Sequence, residues 1–458
     1  MGAIITLSIL ALVVLYLGLF KAKTLLLPVS ILGFLVAIGF LLNDWTADRG
    51  PLFSGMVHFD HYAIAFSVLC IAVTLCIFII SKGYFDEGGQ VAEYYSLLIF
   101  SLTGAVLVNS YHNFSMLFLG IEIMSVALYI LVGIRKRDKA SNEAALKYFL
   151  MGAFSTGFLL FGIALLYGAT GSFDLDEIKA YVVNNPHAIS PLFYGGILLL
   201  IVGLTFKVGA APFHFWTPDV YDGAPILITT YMSTVVKVAS FAGLLRLFSN
   251  SLLPLQDFWT PVFLIIAIVT LFIGNISAVM QSSFKRMLAY SSISHAGYML
   301  FAIIAVGATS SNGIFAYGLA YALATIVAFT GLILVKKTTG SEHFEAFNGL
   351  GKRNPMLAFA ITVAMLSLAG IPLTAGFIGK FMMFSSVMEN YHVVLLVLAV
   401  VNAAIAVYYY LKVVVAMYFR ESEESCVNVQ WNYSFVLLLA AGLTILIGVY
   451  PDCLLKLI

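Results

Sequence analysis

Long apolar runs divided by short polar turns dominate this chain. Runs of about 20 apolar residues suffice to cross a ~30 Å hydrocarbon core as helices. They fall at 2–20, 24–42, 59–81, 94–109, 114–134, 146–168, 192–213, 224–248, 260–281, 287–307, 313–335, 355–387, 392–418 and 434–455, fourteen candidate spans. The ten-residue alternation of a membrane β-barrel is missing, so the pattern predicts helices. Two spans are irregular. Gly370-Ile371-Pro372 and Ala375-Gly376 interrupt 355–387, which is too long for one straight crossing, and Gly209-Ala210-Ala211-Pro212 closes 192–213. Proline removes a backbone donor, and a break at membrane depth is tolerated where backbone is buried in protein or lines a cavity. The two broken spans lie five spans apart. An odd offset sets equivalent helices in opposite orientation, the trace of an inverted repeat; two unrelated proline kinks would leave the same trace.

Composition agrees with an all-α polytopic membrane protein: 62% of residues are apolar and 10% charged, against about 25% charged in soluble domains. A net charge of +1 gives no footing for a nucleic-acid partner. Cys70, Cys76, Cys426 and Cys453 have no metal-ligand or disulfide spacing and are expected to pack as small apolar side chains. No phosphate-binding loop occurs, and the longest extramembrane segment, 168–191, holds only Asp174, Asp176 and Glu177 as acids. The stretch to Phe20 lacks a basic leader and a cleavage site, so it is expected to be a retained first helix.

Loop charge orients the spans. Lys21, Lys23, Lys82, Arg135, Lys136, Arg137, Lys139, Lys285, Arg286, Lys336, Lys337, Lys352, Arg353 and Arg420 fall on one side, and only Arg49, Lys179 and Lys456 on the other. By the positive-inside rule both termini face outward.

Within the apolar runs stand Lys207, Lys237, Lys380 and Glu122. An intramembrane charge costs about 2.5–3.5 kcal/mol on insertion scales, and four of them point to proton or ion movement. Lys207 and Lys237 enter roughly 20 Å from their membrane faces, beyond easy snorkelling. Burial disfavours a charged amine, and lysine, unlike arginine, can release its proton. Glu122 is the expected counter-charge to these lysines, either as a modulated pair or as a static salt bridge. Lys380, eight residues past Pro372, is placed as a terminal group on the outer side. His214 and His295 are second-rank candidates, as relays or as packed histidines. Glu143 and Lys147 read as a solvated i,i+4 pair, Arg246 and Lys412 as snorkelling ends, and Asp219 and Asp222 as turn residues.

Three segments carry a resemblance. Phe206-Lys207 through Phe213-His214-Phe215-Trp216-Thr217-Pro218-Asp219-Val220-Tyr221-Asp222-Gly223-Ala224-Pro225 is the first. Lys285-Arg286-Met287-Leu288-Ala289-Tyr290-Ser291-Ser292-Ile293-Ser294-His295-Ala296-Gly297-Tyr298 and Ala369-Gly370-Ile371-Pro372 through Lys380 are the others. The chain resembles, over nearly its whole length, subunit N of bacterial complex I, the proton-pumping NADH–quinone oxidoreductase, in the antiporter-like membrane subunit family. Subunits L and M usually carry a Trp-Leu-Pro-x-Ala stretch where this chain has Trp216-Thr217-Pro218-Asp219-Val220, and the long lateral helix of subunit L is not seen.

The resemblance implies about fourteen helices, with two inverted five-helix repeats and broken helices 7 and 12. On that division, 1–92 holds helices 1–3, 93–250 the first repeat, 251–420 the second, and 421–458 helix 14. It implies Glu122 as the fifth-helix glutamate, Lys207 and Lys237 as central lysines, and Lys380 as the twelfth-helix lysine. It implies a translocase subunit of the bacterial inner membrane, both termini periplasmic, among other complex I membrane subunits and lipid. No cofactor or metal is expected in this chain; NADH, FMN and iron–sulfur clusters belong to partner subunits, and quinone binds elsewhere in the complex. The alternatives are a subunit of a redox-independent multisubunit cation/proton antiporter and a structural scaffold.

Overall fold

Helices begin where a short polar side chain meets free backbone donors. Asp60, Asn113, Asp138, Asp174, Ser190, Ser283 and Asn354 each accept a first-turn backbone N–H of the helix that follows, a cap worth about 0.5–2 kcal/mol. The computed structural model describes residues 1–47, 50–85, 91–186, 188–307, 310–389, 393–422 and 425–452; Arg49, Cys453 and Lys456 fall outside them.

The helices are α1 (Gly2–Leu19), α2 (Lys23–Ala47), α3 (His61–Ser81), α4 (Val91–Ser110), α5 (Phe114–Val132), α6 (Lys139–Thr170) and α7 (Leu175–Asn184). Then come α8 (Pro191–Val208), α9 (Trp216–Gly223), α10 (Ile226–Tyr231), α11 (Lys237–Arg246), α12 (Gln256–Val279), α13 (Phe284–Met299) and α14 (Phe301–Ile304). The last are α15 (Ser310–Thr339), α16 (Leu350–Arg353), α17 (Pro355–Ala369), α18 (Ala375–Glu389), α19 (Val393–Phe419) and α20 (Trp431–Val449). Among the described residues 13 stretches are long and apolar enough to cross a membrane, and α17 and α18 are shorter apolar helices. The expected twelfth span is therefore two helices.

Both expected breaks occur, by one device. Gly209 (φ 72°) ends α8 and Gly370 (φ 82°) ends α17, each in the left-handed region that closes a helix without a Cβ penalty. Proline follows both glycines, and the chain resumes as α9 or α18. The eighth span departs from the regular helix expected. It runs through π-helical turns at Met232–Val236 and Leu247–Ser251, the first immediately before Lys237. Such turns displace the backbone register and recur at functional sites.

The charge-bearing helices occupy the centre. The apolar window of 226–251 is 100% buried and that of α15 94%, against 28% for α1 and α2, which leaves those two on the periphery. Glycines bring neighbouring helices together: a Cβ on Gly162 would lie 2.9 Å from the Gly196 oxygen, and one on Gly274 would lie 2.5 Å from the Ser294 nitrogen. Small residues at such crossings replace the hydrophobic drive that lipid does not supply.

Candidate functional site

Lys207 stands in the last turn of α8, its Nζ buried with no hydrogen-bond partner among the described residues. Its ammonium faces the rings of Tyr129 on α5 (5.8 Å) and Tyr148 on α6 (6.0 Å), contacts that are strongest when desolvated. Glu122 on α5 accepts from Thr156 Oγ1 at 2.8 Å. Its charge acts on Lys207 and on Tyr129, yet no contact ion pair joins Glu122 and Lys207 among the described residues. The expected counter-charge is an electrostatic neighbour with its own hydrogen bond.

Lys237 opens α11 after the π turn. Its Nζ donates to Ser292 O at 2.5 Å and to Ser292 Oγ at 2.6 Å. Tyr321 donates to the same Oγ at 2.9 Å and turns its ring towards the ammonium at 5.8 Å. One turn along α13, His295 is buried with Nδ1 2.7 Å from the Tyr317 hydroxyl and Nε2 3.0 Å from that of Tyr410. Tyr410 in turn bonds Ser291. A neutral imidazole has one donor and one acceptor nitrogen, so the two tyrosines meet it in opposite senses.

Lys380 on α18 reaches back across the break, donating to Ala369 O at 2.9 Å and Leu368 O at 3.1 Å. These carbonyls end α17, at the negative end of its dipole and without helical partners. Tyr298 places its ring 5.0 Å from the ammonium. Lys380 and Lys237 both act electrostatically on His295. A narrow cavity with room for about one water is bounded by His295, Tyr317, Tyr321, Ser367 and Lys380. Lys237, Ser292, His295 and Lys380 therefore form one polar file through the buried centre. His214 is buried against Phe215 (4.5 Å), and among the described residues no hydrogen bond ties it to Glu122 or the lysines.

Several secondary readings change. Asp219 lies within α9 and pairs with Lys147 at 2.8 Å, so the Glu143–Lys147 pair is part of an inter-helix network. Arg246 does not snorkel: it is buried, 2.5 Å from Asp60 Oδ1 and 5.2 Å from the Tyr62 ring. Lys412 lies over Phe344 at 4.5 Å. Lys285 and Arg353, counted above as loop charges, are buried. Cys70, Cys76 and Cys426 form no disulfide among the described residues; Cys70 is buried as expected, whereas Cys426 is exposed and does not pack as an apolar side chain. His112, Asp174 and Asp176 bring ligand-type atoms within 4.8 Å of one another. Asp174 already caps α7 and Asp176 is hydrogen-bonded to His112 at 3.0 Å, which accounts for the grouping.

Residues 112–406 match the family described as NADH:quinone oxidoreductase/Mrp antiporter, transmembrane region. NADH-quinone oxidoreductase subunit N of Flavobacterium psychrophilum is 39% identical, covering 100% of both chains. The Cytophaga hutchinsonii subunit N is 40% identical over 100% of this chain and 99% of that one. The chain belongs to this family. A chain of the Thermus thermophilus respiratory complex I with bound aureothin superposes with a TM-score of 0.85 at 32% identity, covering 99% of this chain and 98% of that one. A chain of an archaeal membrane-bound sulfane sulfur reductase has a TM-score of 0.88 at 24% identity over 100% of this chain and 96% of its own, which speaks to the fold alone.

In this relative of subunit N, the sequence marks the lysines, Glu122 and His295 as candidates but not the side chains packed around them. Tyr129, Tyr148, Ser292, Tyr298, Tyr317, Tyr321 and Tyr410 look like ordinary membrane-helix residues in a chain with 24 tyrosines. Helical spacing held one usable signal: Ser292 and His295 lie three apart on α13 and so share a face.

Proposed function

We propose that the chain is a proton-translocating membrane subunit of a complex I-type NADH–quinone oxidoreductase. The observation that carries this reading is the buried file Lys237–Ser292–His295–Lys380, in a chain that matches subunit N relatives from end to end. In it, Glu122 modulates Lys207 through space, Lys207 and Lys237 hold protons centrally, His295 relays them, and Lys380 is the last protein group before release. His214 is a secondary relay. The two broken spans belong to inverted repeats at 93–250 and 251–420, flanked by 1–92 and 421–458. The basic loops face the cytoplasm, the termini face the periplasm, and the membrane is the bacterial inner membrane. NADH, FMN, iron–sulfur clusters and quinone are held by other subunits, whose redox change drives the lysines between charge states.

The energy scale permits this: moving one charge against 100 mV costs about 2.3 kcal/mol, and a one- to two-unit change in proton affinity supplies roughly 1.4–2.7 kcal/mol. The test is affinity purification from native membranes with mass spectrometry and iron–sulfur EPR, followed by Lys237→Ala. Cluster-bearing partners, and a Lys237→Ala complex that oxidises NADH with reduced pumping, support the proposal. Recovery with small membrane subunits alone, plus sodium-dependent proton flux without NADH, would establish the cation/proton antiporter instead. Full pumping by Lys237→Ala would remove the relay.

A further inference from the structure

Two cavities on the basic face differ in their balance of charge. One, of about 420 Å³ between α6, α9 and α13, has cations that are already paired. Lys147 bridges Glu143 and Asp219 at 2.8 Å each, Arg286 reaches Asp222 at 3.2 Å, and Lys336 holds Glu342 at 2.6 Å. The other, of about 340 Å³, lies where α2 begins, α3 ends and α4 begins, a size within the range of small-molecule sites. Lys23 of α2 and Lys82, the residue that caps α3, bring two positive charges to it. No acid lines it, and neither lysine enters an ion pair, among the described residues.

Uncompensated positive charge at a membrane face attracts anions. The floor of the cavity adds no donor of its own. Ser81 and Tyr95 are buried there with their hydroxyls 2.6 Å apart, and Ser81 also donates to Phe78 O at 2.6 Å. A serine has one proton to give, so Tyr95 donates to Ser81 and both are spent within the chain. Lys23, Lys82 and the exposed Thr24 hydroxyl remain to meet a ligand. The rest of the lining is apolar: Leu26, Leu27, Pro28 and Val91. Helix α2 is peripheral, its apolar window only 28% buried, and Leu25 beside the cavity is half exposed. A soluble anion gains nothing from such a wall, whereas a phosphodiester that carries acyl chains fills both parts.

We propose that this cavity binds the phosphate of an anionic phospholipid, with Lys23 and Lys82 on its oxygens and its acyl chains along α2. The lipid ties the peripheral α1–α2 hairpin to α3 and α4. A lysine beside an anionic headgroup strengthens retention roughly fivefold, so loss of both weakens it on the order of thirtyfold.

The test uses the whole complex in phosphatidylcholine nanodiscs that contain a little phosphatidylglycerol with a photoactivatable acyl chain, and maps the marked peptides by mass spectrometry. Marking is expected on α2 near Leu27 and on α4 near Val91, and far less from photoactivatable phosphatidylcholine at the same mole fraction. Lys23→Ala combined with Lys82→Ala is expected to lower it on the order of thirtyfold with normal subunit content. Lys352→Ala, at an exposed lysine elsewhere on the basic face, is expected to change nothing. Equal marking by the two lipids in the wild type overturns the proposal without any variant, and so does undiminished marking of the assembled double variant. Loss of marking in excess inorganic phosphate assigns the site to free phosphate and overturns the lipid. None of these readouts depends on NADH or on pumping, so the lipid site and the proton file stand or fall separately.

Discussion

Gly376→Ala probes whether contact between the two halves of the twelfth span sets the seat of Lys380. The added Cβ would lie 1.8 Å from the Ser367 carbonyl oxygen and 2.6 Å from its carbon, both backbone atoms that no rotamer change can move. Ordinary contact starts at 3.4 Å, so the two helices must separate by the difference, 1.6 Å. Lys380 Nζ now lies 2.9 and 3.1 Å from the Ala369 and Leu368 oxygens, and a shift of that size takes both beyond hydrogen-bonding range. Bonds to a charged group contribute about 1.5–3 kcal/mol each, so the ammonium loses roughly 3–6 kcal/mol at its present position. The bond from Gly376 N to Ser367 Oγ, 3.1 Å, strains as well.

The assay is proton movement per NADH in vesicles, with subunit content of the purified complex checked by mass spectrometry and Lys380→Met as the reference. Gly376→Ala is expected to assemble and to lose pumping to the level of Lys380→Met. If it pumps like the wild type while Lys380→Met is impaired, the carbonyl seat is not what makes Lys380 work, and the reasoning fails.

Two other substitutions separate position from chemistry. Ser292→Ala removes the 2.6 Å acceptor of Lys237 but keeps the backbone oxygen at 2.5 Å; pumping is expected to drop without loss of assembly, and a normal pumping ratio would exclude the Ser292 hydroxyl from the path. Asp60→Ala leaves the Arg246 guanidinium buried and unpaired, a change that costs 3–5 kcal/mol in buried pairs. Asp60 is 34% exposed, so about 3 kcal/mol is expected for the pair, with about 0.5–2 kcal/mol more for the α3 cap that Asp60 makes with Ala63 N–H; the readout is the thermal midpoint of the detergent-solubilised complex, and an unchanged midpoint would show both to be unimportant.

What the sequence made legible follows from the cost of charge in lipid. Runs of apolar residues fixed the spans because water-free backbone must bond to itself, and glycine-proline pairs fixed both breaks. Lysines inside those runs stood out because an unexplained charge is rare at that depth. Tyr321 and Tyr410 could not stand out, since tyrosine fits a membrane helix whether or not it carries protons. Nor could the π turn before Lys237: Met232–Val236 has no proline or glycine to announce it, and it lies in a fully buried span. Lys285 was misplaced for a related reason. At a helix start beside Arg286 it resembles a loop charge, and only the carbonyls of α9, remote in sequence, reveal that it is enclosed.

Two buried lysines are seated on carbonyls that end helices, one at the break of the twelfth span and one where α9 ends on the basic face. Lys285 sits on oxygens at the end of α9, and Lys380 on oxygens at the end of α17. In an unbroken span such oxygens are taken by the next turn's N–H groups, so an ammonium there would have no acceptor. A helix that stops inside the bundle frees its last carbonyls, which then replace water around the cation and add the negative end of the helix dipole. Lys207 shows the contrast: it lies in the last turn of α8, has no acceptor among the described residues, and faces the rings of Tyr129 and Tyr148. On the proposed reading, that leaves Lys207 open to the field of Glu122, while Lys380 is held by two backbone acceptors.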